Sequence, residues 1–554
     1  MKIIKWLMAK ALWLIIILAA VLRLWNLGNV PPHLTPDEAS LGYNAYSILK
    51  TGRDEYGKFL PVIFKSFGDF KPGLYVYLTV PFVATLGLNE LAVRLPSALF
   101  GVLSVFLIYL ISAKFFGRKI GLLSAFIAAI TPWLIYFSRG AWEVNICLTL
   151  TLLGIYLFLK SLDNPKFLVF SAVSFALTFL DYQGAKLSTG IAVLILLILY
   201  WKDVLKINNK FIISSLILSF ILVLPIMFSF FTGQTGRLNV FSVFSYPRSR
   251  EYTQLMLDQG GEKIGDLNYF VFHPESVNFL RGILGRYFNH FSGRFLFFEG
   301  DWANPRHSAP YQGMLLLTDL IFAIFGVFAF LKEKITREKL FVILWLVLAP
   351  LPAVLSRDQV HAVRSISMAV PLIIILAFGL FEFSRWLNGH VARWLVFPIL
   401  FTFYFLLFTY FLDTYFVHVP KHQSELWEYG YKQIVETVFP IQGNYKTVKV
   451  QQSFAQPYIY FLFYQKYDPA KYQLQAKLTD SGNKGDVGNV LRLDNIEFAP
   501  IDWSVNRGEH GTLFVADPIR IPIEDAKDEK QFRLIKEIKY LNGRDVAFRI
   551  IEIR

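Results

Sequence analysis

Long apolar runs separated by short polar connections fill the chain up to residue 411. A helix that crosses a bilayer needs roughly 20 mostly apolar residues. Spans are therefore expected at residues 7–25, 95–115, 120–137, 144–159, 167–180, 187–200, 211–231, 312–331, 340–355, 363–381 and 394–411, about eleven in all. The first follows Lys2, Lys5 and Lys10, as a signal peptide would, but Arg23-Leu24-Trp25-Asn26 is no small-residue cleavage site. It is read as a retained helix.

Basic residues fall in alternate connections: Lys114, Arg118 and Lys119; Lys160 and Lys166; Lys202, Lys206 and Lys210; Lys332, Lys334, Arg337 and Lys339; Arg385 and Arg393. The positive-inside rule makes these cytoplasmic, together with the N-terminus. An odd number of spans then puts the C-terminal segment outside, with long outer loops at residues 26–94 and 232–311. Residues 74–86, interrupted by Pro81, and the amphipathic stretch 277–291, with Arg281 and Arg286 on one side, read as helices lying in the interface. Past residue 411 polar residues increase. Residues 424–438 look helical, 447–452 and 512–516 look like strands, and 534–540 with 545–553 form a hairpin around Asn542-Gly543. The expected fold is an α-helical integral membrane protein of the plasma membrane. Residues 1–417 form the transmembrane domain, and residues 418–554 a small extracytoplasmic α/β domain.

Composition narrows the class. Of 554 residues, 55% are hydrophobic, which excludes a soluble enzyme with one core. The formal charge of +14 sits in inter-span loops, so it marks membrane lipids as a partner and not nucleic acid. Cys147, the single cysteine, lies in an apolar run, has no internal disulfide partner and reads as a packing residue.

The stretch richest in chemistry follows the first span: Pro31-Pro32-His33-Leu34-Thr35-Pro36-Asp37-Glu38-Ala39. A carboxylate at a membrane surface, held by a proline turn, can act as a general base toward a hydroxyl. The same pair also reads as an acidic N-cap of a helix over 38–49, and a cap would hold the base rigid. Lys71, in Asp69-Phe70-Lys71-Pro72-Gly73, lies at headgroup depth, where it would meet a lipid phosphate or anionic lipid generally. Arg139 and Glu143 have the spacing of a helical ion pair. Arg357, Asp358, His361 and Arg364 crowd one outer loop. Arginines there run against the charge bias, which calls for a phosphate or a carboxylate partner. Glu299, Asp301, Trp302, Arg306 and His307 close the second outer loop with groups suited to sugar or to anchoring in an aromatic belt. Asp319 inside a span is either functional or paired with a neighbouring helix. His33, Asp37, Glu38 and His307 are the donors a divalent metal would take, but no ligand spacing supports one, so no metal or other cofactor is assigned.

Together these stretches resemble the protein O-mannosyltransferase and lipid A aminoarabinose transferase group within the GT-C class of membrane glycosyltransferases. Asp37-Glu38 matches the acidic pair of that group's first outer loop, and Lys71-Pro72 its lysine-proline element. Ala92-Val93-Arg94-Leu95-Pro96-Ser97 matches its entry to the second span. Ser138-Arg139, Arg306-His307, residues 361–371 and Trp427-Glu428-Tyr429-Gly430 are also similar to its members. The resemblance covers roughly residues 7–430. It implies a polyprenyl-phosphate sugar donor, inverting transfer and a lipid, glycan or protein acceptor. It also implies Asp37 as base, Glu38 as its support or as a substrate contact, and Lys71, Arg139 and Arg364 as holders of the phosphate, with Arg306, His307 and His361 as further substrate-binding residues. Phe70 stands where aminoarabinose transferases often carry a glutamate, which speaks against their metal site. The large central domain of eukaryotic mannosyltransferases has no counterpart. Two other classes stand beside this one, a polyprenyl-lipid transporter or flippase and a non-catalytic membrane scaffold. A transporter would show internal repeats and midplane charge. This chain shows no repeat, and its charge gathers at the outer surface.

Overall fold

The computed structural model describes residues 2–232, 242–332, 334–452, 456–479 and 488–554. Residues 233–241 of the expected second long loop lie outside that set. The chain is a helical membrane protein with a β-rich C-terminal part. In chain order it opens with α1 (Lys2–Leu24), α2 (Pro36–Thr51), the strands β1 (Ile63–Ser66) and β2 (Asp69–Pro72), and α3 (Leu74–Leu86). Then come α4 (Glu90–Phe116), α5 (Arg118–Ile130), α6 (Pro132–Ser138), α7 (Glu143–Ser161), α8 (Phe167–Phe179), α9 (Ala185–Val204) and α10 (Asn209–Phe231).

Each expected span contains helix, although 120–137 and 340–355 are each broken into two and 312–331 is helical only from Asp319, and the count of about eleven is not confirmed. Among the described residues, six helices are long and apolar enough to cross a membrane: Glu90–Phe116, Glu143–Ser161, Ala185–Val204, Asn209–Ser229, Ile366–His390 and Trp394–Gln423. A seventh arises if α5 and α6, bent by 58°, form one broken span. The break falls at Thr131-Pro132, where proline cannot donate to the preceding turn. Others are too short: α8 has 13 residues, Asp319–Lys332 has 14 and Arg337–Leu348 has 12. Helices Asp319–Lys332 and Ala369–His390 cross backbone to backbone. A Cβ on Gly326 would collide with the Ile375 carbonyl, and one on Gly379 with that of Phe322. Small residues allow this approach where apolar lipid supplies no hydrophobic drive.

The C-terminal part holds a six-stranded mixed sheet in the order Arg492–Leu493, Ile496–Ala499, Thr447–Gln451, Thr512–Ala516, Val546–Ile553 and Phe532–Lys539. Thr447–Gln451 runs parallel to both neighbours, with Val448 opposite Ile496 and Leu513. The expected hairpin is present, with Phe532–Lys539 antiparallel to Val546–Ile553. The expected helix over 424–438 is shorter, Tyr431–Val438. This part shares a core with the first long loop: Tyr43, Phe64, Tyr75 and Val93 pack in one cluster with Tyr431, Tyr460, Phe463 and Ile550. At the contact, Gly42 has Val93 Cγ2 at 2.5 Å and Phe463 Cε2 at 2.6 Å from where a Cβ would stand.

Candidate active site

The acidic pair sits in the first turn of α2, where Thr35 is the N-cap and Pro36 the first helical residue. The Thr35 hydroxyl accepts from the Glu38 amide at 3.2 Å, and Glu38 Oε2 accepts from the Thr35 amide at 3.0 Å. This reciprocal capping box fixes the turn. Adjacent helical residues face different ways, and here they part completely. Glu38 is buried, and its Oε1 also accepts from Arg94 Nε at 3.0 Å and from the Ala141 amide at 2.8 Å. Its carboxylate is spent on the fold. The Asp37 side chain is 56% exposed and forms an ion pair with Lys71.

Lys71 is held on β2, opposite Phe64 of β1, in a hairpin within the expected outer loop at residues 26–94. Burial works against its charge, but Asp37, Glu143 and Asp69 outweigh it and raise the ammonium above the usual lysine range. Lys71 therefore stays cationic.

Two buried arginines hold the segment that leads to the acidic pair. Arg94 donates to the carbonyls of Leu27 at 3.1 Å, Pro31 at 2.9 Å and His33 at 2.7 Å. Arg139 donates to those of Leu22 at 2.8 Å, Trp25 at 2.7 Å and Val30 at 3.1 Å. Its guanidinium lies 5.3 Å over the Tyr415 ring and 4.8 Å over Phe416. The expected pairing of Arg139 with Glu143 is replaced by this carbonyl cradle. His33 is likewise structural: Nδ1 bonds the Leu34 carbonyl at 2.7 Å, and Nε2 accepts from the Lys432 amide at 3.2 Å. Burial pulls its pKa down to about 4, leaving it neutral.

The C-terminal part adds a carboxyl whose surroundings only the fold reveals. Glu428 accepts from the Tyr460 hydroxyl at 2.8 Å. Burial pushes its pKa up to about 7, against the positive charge of Arg306, and the charge of Asp37 adds to the rise. The charge of Asp37 thus acts on both Lys71 and Glu428. Arg306 is positioned through its carbonyl, which accepts from the Tyr136 hydroxyl at 2.7 Å. Asp181 is a second group without an earlier role. It is buried, with no hydrogen-bond partner on either carboxylate oxygen. The sequence marks Glu428 only as part of a familiar stretch and Asp181 not at all, since the surroundings of each come from long-range packing.

The remaining predicted residues form a neighbouring cluster. Arg364 pairs with Asp358 at 3.2 Å, which supplies the carboxylate its outer-loop charge called for. His307 Nδ1 lies 3.0 Å from Asp301 Oδ2, and the His307 and His361 rings are 5.1 Å apart. His33, Asp37 and Glu38, the other groups named as possible metal donors, do not join them. Asp319 takes the paired reading, accepting from the Tyr404 hydroxyl at 3.1 Å and the Leu316 amide at 3.1 Å.

With this geometry in place, comparison with known proteins gives a consistent likeness. Residues 71–228 match the family model described as dolichyl-phosphate-mannose-protein mannosyltransferase. The Bacillus subtilis (strain 168) protein YycA, a candidate mannosyltransferase, is 30% identical over 152 residues, 27% of this chain and 22% of that protein. The apo crystal structure of ArnT from Cupriavidus metallidurans superposes with a TM-score of 0.57 at 12% identity, over 100% of this chain and 98% of that one. The same protein bound to undecaprenyl phosphate gives 0.54 at 11% identity, over 97% of each chain. The chain is thus similar in fold to a GT-C glycosyltransferase along its whole length, and in residues 71–228 to the dolichyl-phosphate-mannose-protein mannosyltransferases.

Proposed function

We propose that this protein transfers a sugar from a polyprenyl-phosphate donor to an acceptor hydroxyl at the outer face of the plasma membrane, with inversion, and that Asp37 is the general base. The observation that carries the reading is Asp37 itself, an exposed carboxylate fixed in a capped helix turn, with a cationic Lys71 against it. Asp37 takes the acceptor's proton as the acceptor oxygen attacks the anomeric carbon. The bond from that carbon to the phosphate oxygen breaks on the opposite face, and polyprenyl phosphate leaves. No covalent intermediate is needed, since one base on the acceptor side suffices. The leaving phosphate gathers negative charge, so fixed cations beside it lower the barrier.

Lys71 has two jobs in sequence. Paired with Asp37, it keeps the carboxylate a weak base. Drawn onto the donor phosphate, it frees the carboxylate to accept a proton. Arg306 and Arg364 are further cations for the donor, with His307 and His361 beside them. Arg139 and Glu38 act by bracing the segment that carries Asp37. In this reading residues 1–417 are the membrane-embedded catalytic part, with the N-terminus cytoplasmic, and residues 418–554 are an outer α/β domain that lends Glu428 to the site. The ArnT structure bound to undecaprenyl phosphate supports a lipid of this class, and a lipid, glycan or protein hydroxyl is the acceptor.

The test is a panel of polyprenyl-phosphate sugars offered to purified protein, with membrane extract as acceptor source. Release of free polyprenyl phosphate from one donor class supports the reading. No release from any donor by folded protein moves the weight to a transporter or scaffold.

A further inference from the structure

Arg286 and Arg357 take no part in the proposed transfer, yet the fold brings them together. The Arg286 guanidinium donates through Nε and Nη2 to the Arg357 carbonyl, at 3.4 Å and 3.2 Å. Arg357 Nη1 donates to the Tyr246 hydroxyl at 3.2 Å. Both arginines line a cavity of about 490 Å³ between the helix Glu275–His290 and the turn at residues 357–359, and Tyr246, Asn278 and Gly282 complete much of its wall. We propose that this cavity binds the phosphate of a membrane-lipid headgroup, gripped by Arg286 and Arg357 together.

Charge carries the argument. Two cations side by side repel, and an anion between them turns that repulsion into attraction. The acid in the cavity wall, Asp358, is engaged with Arg364 at 3.2 Å. Among the described residues no carboxylate forms an ion pair with Arg286. The Arg357 carbonyl takes Nε and Nη2 of Arg286 and leaves its Nη1 edge for a ligand. A planar guanidinium matches phosphate oxygens with parallel hydrogen bonds, so two of them suit this anion better than they suit each other. Gly282 makes room: a Cβ there would stand 2.7 Å from Arg286 Nη1, so the glycine lets the guanidinium fold over the helix. The volume is in the range of small-ligand sites.

The position points to a lipid as the source of the phosphate. Leu280, Leu284 and Phe288 recur every four residues along Glu275–His290 and are 57%, 47% and 66% exposed. Gly282 and Arg286 lie on the opposite face of the same helix. The Tyr287 hydroxyl donates to the Val347 carbonyl at 3.0 Å, at the end of the apolar helix Arg337–Leu348. An amphipathic helix at such a boundary sinks its apolar face about 5–10 Å below the headgroups. Its other face, with Arg286, then stands in the layer of lipid phosphates. Lys71 is not in the wall of this cavity, so the position is separate from the one proposed for the donor phosphate.

The test reads lipid retention and not sugar transfer, so its failure is distinct from failure of the proposed function. Full-length protein in detergent is titrated with phosphatidylglycerol, with diacylglycerol of the same chains and with inorganic phosphate, and the first ligand bound is followed by native mass spectrometry. Wild type is compared with Arg286→Met/Arg357→Met and with Lys71→Met, each checked for folding by its melting temperature. Phosphatidylglycerol should bind the double variant at least about tenfold more weakly than wild type, as loss of charge-assisted hydrogen bonds implies. Lys71→Met should bind it as wild type does, and diacylglycerol should not distinguish wild type from the double variant. Arg286→Gln, the milder change, should weaken phosphatidylglycerol in the same direction if the double variant does not fold. Equal phosphatidylglycerol binding by folded wild type and the arginine variants overturns the proposal. So does loss of binding in Lys71→Met, which would put the lipid in the donor site. Inorganic phosphate bound as tightly as the lipid, and lost with the same arginines, overturns the assignment to a headgroup.

Discussion

Glu38 and Arg94 form a buried ion pair, Oε1 to Nε at 3.0 Å, that divides the labour of the two adjacent acids. One is consumed in holding α2 to α4, and its neighbour faces Lys71 at the more exposed side of the turn. Arg94→Met leaves Glu38 buried without its charge partner, a loss of about 3–5 kcal/mol. Thermal melting in detergent should show the drop. Adding Glu38→Gln should restore part of it, since the orphaned charge is then gone.

Lys71 should separate from Asp37 by kinetics. If Lys71 holds the donor phosphate, Lys71→Met should lower transfer by about 10²–10³-fold, as removal of one fixed transition-state donor does. Lys71→Arg should keep part of the rate. Arg139 should behave differently. Arg139→Met removes a clamp on three carbonyls, so it should lower melting temperature in step with activity. Melting curves and rates measured on the same preparations distinguish the two.

How much of this the sequence discloses depends on the kind of interaction. Spans are legible because length and apolarity are local properties, and each expected span contains helix. Their number is not, because breaks such as Thr131-Pro132 and short helices such as α8 are set by packing. The cap of α2 is legible in Thr35-Pro36-Asp37-Glu38, a capping-box spacing. The β1–β2 hairpin was missed, although Phe67-Gly68 supplies the two left-handed residues of a tight turn, with φ of 53° and 87°. The roles of Arg94 and Arg139 were out of reach, because their acceptors are backbone carbonyls, which have no sequence signature. Glu428 was visible only as part of a familiar stretch, and its charge environment comes from residues more than a hundred positions away.

The close helix crossing offers a test of the bundle that is independent of chemistry. Gly379→Val drives side-chain atoms into the Phe322 carbonyl, which a Cβ alone would approach to 1.8 Å. The expected outcome is loss of folded protein, read as aggregation on size exclusion. Gly389→Ala on the same helix has open space and should behave as wild type.

Glu55 makes stability depend on pH. It is buried, with Oε1 accepting from Asn44 at 3.2 Å and Oε2 without a partner. Burial, aided by Asp54, pushes its pKa up to about 8. The folded state therefore binds the extra proton between the ordinary value near 4.3 and about 8. The stability this contributes is complete below that window and lost as pH rises through it. Melting temperature should fall from about pH 5 to about pH 8, and Glu55→Gln should flatten that slope.

The central claim is that Asp37 takes the acceptor proton. The most direct measurement is release of polyprenyl phosphate by wild type and Asp37→Asn, each verified as folded, with the donor that the panel identifies. The account predicts a fall of at least about 10²-fold in Asp37→Asn, the scale of a lost general base. Equal release by the two proteins would contradict it.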